Sequence, residues 1–487
     1  MQSKDSHDDT FGDSSASDAE YQQALEVVFD AENAHRRRSS MNSREVAKVT
    51  QQGAALRENT ACFVHQLLER QRKERKGLAL NHITEDNKVQ DKHDDQAISA
   101  DDHESTIHSR LLTKKQLSEM ARGVRDLSKR LGSIRLKLRV RTVFLLTKAH
   151  DEKLIGNTRE VADWLLSTER QVQYTVYVEK TLENNRKFDA KGLLSQDTSR
   201  EGRLKYWTNE LCAKRPHTFD VVLTLGGDGT VLYASWLFQR VVPPVLSFSL
   251  GSLGFLTKFD YDNFPETLTT AFRDGVTVSL RLRFEGTVMR TQRRDGSKEG
   301  RDLVEELIGE EGEDSQTHAA DGSFEILNDI VVDRGPNPTM SAIELFGDDE
   351  HFTTVQADGV CVATPTGSTA YNLAAGGSLC HPENPVILVT AICAHTLSFR
   401  PIILPDTIVL RVGVPYNART SSWASFDGRE RVELHPGDYV TVSASRYPFA
   451  NVMPQCRRSE DWVNSISRTL QWNSRQRQKS FQEWSEE

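Results

Sequence analysis

One turn between an apolar strand and a helix constrains this chain more than any other segment. Val221–Leu225 is a run of apolar and β-branched residues, typical of a buried parallel strand. The turn Gly226–Thr230 (GGDGT) follows at once, and a helical pattern begins behind it. Three glycines leave so little side-chain bulk that backbone N–H groups and a helix N-terminus can approach a phosphate. The segment therefore predicts a phosphate site at the end of a strand.

The carboxylate of Asp228 lies inside this turn and would repel a bound phosphate, so we expect it to serve another function than phosphate binding. It could orient or deprotonate a hydroxyl nucleophile, or hold a metal ion. The alternative is a purely structural role, in which the segment is a tight turn and Asp228 caps the helix. Two glycines alone favour that alternative, whereas the whole hexapeptide Leu225–Thr230 favours a phosphate-transfer site.

Size and charge narrow the class of protein. At 487 residues the chain exceeds one ordinary core, which predicts two domains with tails. A net charge of -9 argues against nucleic acid as the main partner. Six scattered cysteines without a C-x-x-C pair argue against a disulfide framework or a zinc site, and they fit a reducing compartment. No apolar run approaches the roughly 20 residues that span a bilayer, and the N-terminus is polar and acidic. We expect a cytoplasmic protein without a membrane partner.

Changes in residue pattern divide the chain into segments. Residues 1–105 are polar and predict a disordered, regulatory tail. In 106–275 strands alternate with helices, which predicts an α/β domain whose ligands bind at the carboxyl ends of parallel strands. Short strands with period two over 276–452 predict a β-rich second domain. An acidic insert at 293–322 is predicted to be a mobile loop, and 453–487 a polar tail outside the core.

Individual elements follow from the same patterns. Predicted strands of the first domain lie near 138–146, 173–178, 221–225 and 245–248, and predicted helices near 151–166, 203–214 and 264–273. Predicted strands of the second domain lie near 277–284, 330–332, 341–346, 359–363, 387–390, 408–412 and 439–443.

The usual phosphate motifs are missing from the sequence. It contains no G-x-x-x-x-G-K-[ST], which argues against a P-loop NTPase, and neither H-R-D nor D-F-G, which argues against a protein kinase. Gly251–Phe255 is not the dinucleotide fingerprint G-x-G-x-x-G. The remaining class is that of kinases built around a Gly-Gly-Asp-Gly turn.

Two later segments carry groups that suit a nucleotide. Asn328 and Asp329 set an amide beside a carboxylate, which can pair with a base edge and with ribose hydroxyls, although an Asn-Asp turn is the common alternative. Thr364–Asn372 (TPTGSTAYN) has the pattern of a strand end, a turn and a helix start with free N–H groups. Within it, Tyr371 could stack on a base or pack in the core.

Taken together, these segments resemble the NAD kinase family, in particular its fungal and other eukaryotic members. The motifs that carry the resemblance are Gly226–Thr230, Leu250–Phe255, Asn328-Asp329 with Asp333–Pro336, and Thr364–Tyr371. The resemblance covers about residues 139–445. Lipid kinases and phosphofructokinases share the Gly-Gly-Asp-Gly turn, whereas the threonine-rich motif is much more specific.

The resemblance implies an activity and an architecture. It implies transfer of the ATP γ-phosphoryl group to the 2′-hydroxyl of the adenosine ribose of NAD, giving NADP, with NADH as a further candidate acceptor. A divalent cation, usually Mg²⁺, accompanies ATP. It also implies a Rossmann-like N-terminal domain, a β-sandwich-like C-terminal domain, and a homo-oligomer whose NAD sites lie near subunit contacts.

The resemblance also implies roles for individual residues. Asp228 would be catalytic and face the ribose hydroxyl. The phosphate path would be lined by Gly226, Gly227, Gly229 and Thr230. The NAD pocket would be formed by Asp228, Gly229, Asn328, Asp329, Asp358, Thr366, Gly367, Ser368, Thr369, Ala370 and Tyr371. No protein ligand to a metal is implied.

Two departures from the family pattern leave the acceptor open. The family usually has Asn-Glu where this chain has Asn328-Asp329, and the shorter side chain could contact ribose through a water molecule. The family often has glycine where this chain has Ala357, whose methyl group disfavours positive φ. Both departures concern substrate affinity and the choice between NAD and NADH.

Two other functions fit parts of the sequence. A lipid or sphingoid-base kinase could share the glycine-rich turn, but it needs an apolar pocket, and the later motifs are polar. A non-catalytic NAD sensor would tolerate loss of the carboxylate, yet Asp228 is present. Assays with NAD and with a long-chain base would separate these alternatives.

Overall fold

The structure is a computed structural model that describes residues 108–148, 151–250, 254–292, 301–308, 317–348, 350–454 and 458–472. The predicted tail 1–105 lies outside the described residues, as do parts of the acidic insert and of the C-terminal segment. No helix within the described residues combines the length and apolar character needed to cross a membrane.

Helices and strands are numbered in chain order. The helices are α1 Lys114–Leu131, α2 Glu152–Leu166, α3 Ala190–Ser195, α4 Asn209–Lys214, α5 Asp228–Leu237, α6 Phe264–Asp274, α7 Leu303–Leu307, α8 Tyr371–Ala374 and α9 Arg458–Thr469. The first strands are β1 Thr142–Thr147, β2 Thr175–Glu179, β3 Leu204–Trp207, β4 Val221–Leu225, β5 Val245–Ser249, β6 Phe259–Asp260, β7 Thr277–Arg281, β8 Phe284–Thr291, β9 His318–Ile326 and β10 Asp329–Asp333. The later strands are β11 Ser341–Gly347, β12 Glu350–Ala357, β13 Gly359–Ala363, β14 Val386–Ile392, β15 Ile402–Pro405, β16 Leu410–Gly413, β17 Ser422–Phe426, β18 Glu430–Leu434, β19 Tyr439–Ala444 and β20 Phe449–Met453.

Local sequence explains where the longer helices begin. Thr113 and Gln116 form a capping box at the start of α1. The Asp151 carboxylate accepts hydrogen bonds from the N–H groups of Lys153 and Leu154 and so caps α2. A proline in the first turn of α6 lacks the N–H that a helix leaves unpaired there.

The N-terminal lobe is built on one sheet with the strand order β3-β2-β1-β4-β5-β20-β7, and β6 also pairs with β5. Strands β1 to β5 run parallel, which confirms the predicted α/β architecture. All residues of the central strand β4 are buried. Its carboxyl end leads directly into Asp228, at the sheet edge where parallel sheets bind ligands.

The C-terminal lobe contains two antiparallel sheets whose side chains share one core. Their strand orders are β15-β14-β13-β10-β17-β18 and β12-β11-β16-β19-β8-β9. Ile330 of the first sheet and Val440 of the second belong to the same buried apolar cluster. This arrangement agrees with the predicted β-sandwich-like domain.

Two strands cross the predicted domain boundaries. Strand β7 was predicted for the β-rich domain, but it belongs to the sheet of the N-terminal lobe. Strand β20 returns from the C-terminal lobe to the same sheet, where it runs parallel to β5 and antiparallel to β7. The C-terminal lobe is therefore inserted between two neighbouring strands of the sheet of the N-terminal lobe.

Three further predictions need correction. The predicted helix at 203–214 begins only at Asn209, after the cap Thr208, while Leu204–Trp207 forms β3 beside β2. Within the acidic insert, α7 buries Leu303 and Leu307 against the C-terminal lobe, and β9 includes 318–322. These parts are not a mobile loop. In the predicted polar tail, α9 buries Ser465 and Ile466.

Candidate active site

The turn at the end of β4 is shaped by its glycines. Gly226 has φ +147, and a Cβ there would lie 2.5 Å from Oγ1 of Thr230, so only glycine fits. Gly227 and Gly229 are exposed, and a Cβ on either would meet no described atom within 4 Å. Thr230 is buried, and its Oγ1 has no hydrogen-bond partner among the described residues. The turn thus presents open backbone at the N-terminus of α5.

Backbone N–H groups of a second loop hold the Asp228 carboxylate. Its Oδ2 accepts a hydrogen bond from the N–H of Phe255 at 2.8 Å, and its Oδ1 accepts from Leu256 and Thr257 at 3.0 and 3.1 Å. A Cβ on Gly254 would lie 2.2 Å from Oδ1, so the close approach requires glycine. This loop is the described end of the motif Leu250–Phe255, and it fixes the carboxylate in one orientation.

A hairpin turn of the C-terminal lobe organises the Asn-Asp pair. Asp427 and Gly428 both have positive φ, as in the type I′ turns favoured by Asp-Gly. The Asp427 carboxylate accepts hydrogen bonds from three consecutive N–H groups, those of Leu327, Asn328 and Asp329, at 2.9, 2.7 and 3.1 Å. The chain is thereby bent where β9 passes into β10.

The same hairpin turn reaches the N-terminal lobe through Arg429. Nη2 of Arg429 donates to the carbonyl oxygen of Gly229 at 3.3 Å. Its guanidinium carbon lies 4.4 Å from the ring centroid of Tyr233, on the next turn of α5. The contact brings the Gly-Gly-Asp-Gly turn close to the hairpin turn that holds the Asn-Asp pair. We call the region between these two segments the cleft.

Asp329 connects this pair to the threonine-rich segment. Its carboxylate accepts a hydrogen bond from the backbone N–H of Tyr371. The residue is only 7% exposed. Burial, with the nearby Asp427 carboxylate as a second cause, raises the pKa of Asp329 to about 7. Asp329 therefore binds its proton more tightly than an exposed aspartate does.

The threonine-rich turn rests on the backbone of Asn328. The N–H of Thr364 donates to the Asn328 carbonyl oxygen at 2.8 Å. Oγ1 of Thr364 donates to the Leu327 carbonyl oxygen at 2.6 Å and accepts from the N–H of Gly367 at 3.0 Å. A Cβ on Gly367 would lie 2.1 Å from the Asn328 carbonyl oxygen, which explains glycine at this position.

The remaining residues of the motif fall into two groups. Tyr371 is 44% exposed, so its ring is accessible, and Thr366 is buried with an Oγ1 that has no partner in the described part of the chain. Thr369 and Ala370 are half-buried beside them. Ser368, by contrast, is completely buried, and its hydroxyl both donates to and accepts from the backbone of Cys380 at 3.0 Å. The prediction that Ser368 contacts NAD is corrected: its hydroxyl stabilises the turn.

Asp358 lies apart from the other predicted residues within this chain. In the β10–β13 pair, Asp329 is opposite Ala363, whereas Asp333 is opposite Gly359 at the other end. Five residues of strand separate Asp358 from Ala363, a distance of about 17 Å. Asp358 forms an ion pair with Nε of Arg334 at 3.0 Å. Asp358 therefore lies toward the opposite end of the β10–β13 pair from Asp329, and its contact with NAD stays a prediction.

The acidic side chains of the cleft are few. Among the described residues, no group of three His, Cys, Asp or Glu side chains is arranged to hold a metal ion. Both oxygens of Asp228 already accept hydrogen bonds. Mg²⁺ commonly keeps several waters and binds substrate phosphates with few protein carboxylates.

Sequence reasoning missed two parts of the cleft. It gave no role to Asp427 and Arg429, although Asp-Gly between two alternating runs is a strong hairpin signal. It quoted Leu250–Phe255 as a motif without predicting that the N–H groups of residues 255–257 bind Asp228. Neither contact follows from local pattern, because the partners lie 27 to 200 residues apart.

Comparison with known proteins gives a consistent result. The family model of the ATP-NAD kinase N-terminal domain matches residues 143–276, and that of the ATP-NAD kinase C-terminal domain matches 327–453. The NAD(+) kinase of Saccharomyces cerevisiae is 45% identical over 372 residues, which cover 76% of this chain and 67% of that protein. The ATP-NADH kinase YEF1 of the same yeast is 41% identical over 365 residues, covering 74% and 70%.

A solved structure supports the same assignment. The crystal structure of yeast NADH kinase complexed with NADH has a TM-score of 0.54 and 28% sequence identity, covering 70% of this chain and 90% of that one. It shares with this chain an architecture that the sequence predicted, a parallel-sheet domain followed by a β-rich domain. Both family models match this chain, and the yeast NAD(+) kinase resembles it over two thirds of its own length. This chain therefore belongs to the NAD kinase family.

Proposed function

We propose that this protein is a kinase that transfers the γ-phosphoryl group of ATP to the 2′-hydroxyl of the adenosine ribose of NAD. The observation that carries the proposal is the contact of Arg429 with the Gly229 carbonyl oxygen, made by the same hairpin turn whose Asp427 binds the Asn328 backbone. A glycine-rich phosphate turn and a polar dinucleotide wall thus form one cleft. Membership of the NAD kinase family removes the lipid-kinase alternative.

Asp228 is the residue that faces the acceptor hydroxyl in this proposal. A ribose hydroxyl is a weak nucleophile, and a carboxylate within hydrogen-bond reach can take its proton late in the transfer. Oδ2 of Asp228 accepts one described hydrogen bond, so it keeps a lone pair for the hydroxyl. General-base assistance of this kind contributes about 10²- to 10⁴-fold.

The donor phosphates would lie against the open backbone of the turn. Exposed Gly227 and Gly229 at the N-terminus of α5 supply room and N–H groups for anionic oxygens. Arg429 adds a cation beside Gly229, where charge develops during transfer. Mg²⁺, when bound to the nucleotide, neutralises phosphate charge.

The dinucleotide would occupy the wall formed by Asn328, Asp329 and the threonine-rich turn. Asn328 is half-buried, and the exposed ring of Tyr371 offers a face for base stacking. One yeast relative is named an NADH kinase, so the proposal includes NADH as a second acceptor. Side-by-side assays with NAD and NADH, with Mg²⁺ withheld as a control, test this point.

A homo-oligomer is part of the proposal. Leu397 is 84% exposed and Ile403 of the strand β15 is 55% exposed, so apolar surface is available for a subunit contact. Sedimentation velocity of the full chain should detect a species larger than a monomer. If the chain is a monomer at micromolar concentration, the proposed homo-oligomer is wrong, but the proposed activity is not affected.

An enzyme-coupled assay of NADP formation tests the activity. Asp228→Asn should lower kcat by about 10²- to 10⁴-fold while NAD still binds in calorimetry. The matched control is Asp321→Asn, because Asp321 is an exposed carboxylate on β9 that pairs with Arg290. Turnover by Asp228→Asn close to that of the unmodified chain would refute the catalytic role. Tight NAD binding without any NADP formation by the unmodified chain would instead favour a non-catalytic sensor.

A further inference from the structure

One buried arginine that takes no part in the cleft joins the two lobes. Arg283 lies between β7 and β8, where the chain leaves the N-terminal lobe, and it is completely buried. Its backbone carbonyl oxygen accepts a hydrogen bond from the N–H of Ser445, in the segment by which the chain returns to that lobe. Its Nε donates to the carbonyl oxygen of Tyr447 in the same segment at 2.6 Å. Both interlobe connections therefore meet at Arg283.

The rest of the Arg283 guanidinium binds the C-terminal end of α5, the helix that begins at Asp228. Nη1 donates to the carbonyl oxygens of Ser235 and Phe238 at 3.4 and 3.0 Å, and Nη2 to those of Gln239 and Arg240 at 3.0 and 3.3 Å. The carbonyl group of Ser235 lies in the last turn of α5, where a helix leaves carbonyl groups unpaired, and the other three follow directly after Leu237. The helix dipole favours a cation at this end. Arg283 thus caps the helix from outside.

A second tie joins the same helix end to the dinucleotide wall. The side chain of Gln239 accepts from the N–H of Glu325 at 2.8 Å and donates to its carbonyl oxygen at 3.3 Å. Glu325 precedes Asn328 by three residues on the same chain segment, about 10 Å of extended backbone. A displacement of the C-terminal end of α5 would therefore change the position of Asp228 relative to Asn328.

The buried charge of Arg283 also connects α5 with the dinucleotide wall. The guanidinium of Arg283 interacts electrostatically with the carboxyl groups of Glu325 and Asp427. Asp427 is the side chain that holds the Asn328 backbone, and Glu325 has an oxygen, Oε2, without a hydrogen-bond partner among the described residues. A charge this deeply buried is costly unless its surroundings compensate it. Here the carbonyl oxygens at the end of α5 compensate the guanidinium by accepting its hydrogen bonds.

We propose that Arg283 is a positioning residue for phosphoryl transfer, which sets the orientation of the Asp228 helix relative to the dinucleotide wall without touching either substrate. The inference rests on the proposed function, because the reaction requires Asp228 and the acceptor ribose to be aligned. Misplacement of a reacting group by about 1 Å can cost about 100-fold in rate. A lysine at this position keeps the charge but has three donors on one nitrogen instead of five in a planar fork.

The test compares Arg283→Lys with Arg203→Lys in the full chain. Arg203 is a matched control, because it is also buried and also binds carbonyl oxygens, those of Tyr174 and Leu165 at 3.0 and 3.4 Å. It precedes β3 at the amino end of an edge strand, three strands away from β4, or about 14 Å. Both variants should lower the melting temperature.

Only Arg283→Lys should lower kcat per folded molecule, by about tenfold or more, with KM for ATP and NAD changed by less than about threefold. An equal kcat in both variants, measured well below their melting temperatures, would overturn the proposal. Gln239→Ala gives the same test should Arg283→Lys not accumulate as folded protein, because Gln239 is only half-buried. The kcat of Gln239→Ala should also fall, and an unchanged kcat would overturn the proposal.

A readout independent of turnover separates this proposal from the proposed function. Amide hydrogen exchange in the peptide that covers Asp228–Leu237 should be faster in Arg283→Lys than in the unmodified chain or in Arg203→Lys. Unchanged exchange there would overturn the positioning role even if the enzyme is active. If the unmodified chain forms no NADP but the exchange result holds, the proposed function fails while the link between Arg283 and α5 stands.

Discussion

Replacing Asp329 by asparagine should change how stability depends on pH. Asp329 is buried beside Asp427, and its pKa is raised from 3.8 to about 7. At about 1.4 kcal/mol per pKa unit, this shift corresponds to about 4 kcal/mol. The folded chain keeps a proton between pH 4 and 7 that the unfolded chain releases. The contribution of Asp329 to the free energy of unfolding therefore falls as pH rises through this range, and it is fully lost above pH 7.

Asparagine cannot ionise, so Asp329→Asn should remove this dependence. The variant should be less pH-sensitive between pH 5 and 8, and above pH 8 it should exceed the unmodified chain in unfolding free energy. The gain is up to about 4 kcal/mol, less about 1 kcal/mol for a weaker hydrogen bond from the Tyr371 N–H. Urea unfolding followed by tryptophan fluorescence at pH 5, 6, 7 and 8 measures the difference. Asp321→Asn is the control, since Asp321 is exposed.

The reasoning is refuted if the unfolding free energies of Asp329→Asn and the unmodified chain run parallel from pH 5 to 8. A linked effect on substrate binding provides a second check. If Asp329 holds the NAD ribose as proposed, its ionised carboxylate would be the better acceptor for ribose hydroxyls, so KM for NAD should fall as pH rises through about 7 in the unmodified chain. If KM for NAD depends on pH in the same way in Asp329→Asn, another group causes the dependence.

Three other substitutions have defined outcomes. Gly254→Ala should lower kcat by at least about tenfold, since its Cβ would displace the Asp228 carboxylate; melting curves must show that the variant still folds. Ser368→Ala should cost about 1–3 kcal/mol in urea unfolding by leaving the Cys380 backbone unpaired, and no loss would contradict its structural role. Leu303→Ala should cost about 2–5 kcal/mol with kcat per folded molecule unchanged, whereas a changed kcat would connect the insert to the cleft.

Local features of the site were predictable because they depend on neighbours in the sequence. The buried strand Val221–Leu225, the glycine turn and the helix behind it are each determined by residue types within about fifteen positions. The same holds for Thr364–Gly367, where small and hydroxyl side chains allow a tight turn. The leucines at 303 and 307, one helical turn apart in an acidic run, were a readable signal for α7 that was missed.

Long-range partners were not predictable in this way. Strand β20 has the composition of any short buried strand, and nothing in its residues indicates that it pairs with β5 and β7 rather than with the β-rich lobe. The local sequence indicates only that Asp427 lies in a turn. Its carboxylate binds the backbone of a segment about 100 residues earlier in the chain. Such contacts follow from topology, which local pattern does not encode.

The pairing of β7 with β20 has a consequence for dissecting the protein. The two family models, 143–276 and 327–453, look like natural places to cut the gene. Yet the second fragment would carry away β20, an interior strand of the first fragment's sheet, and neither fragment would contain β7, β8 or β9. Separate expression should yield two incompletely folded products, whereas excising the region between β7 and β20 and closing the gap with a short linker would preserve the first sheet.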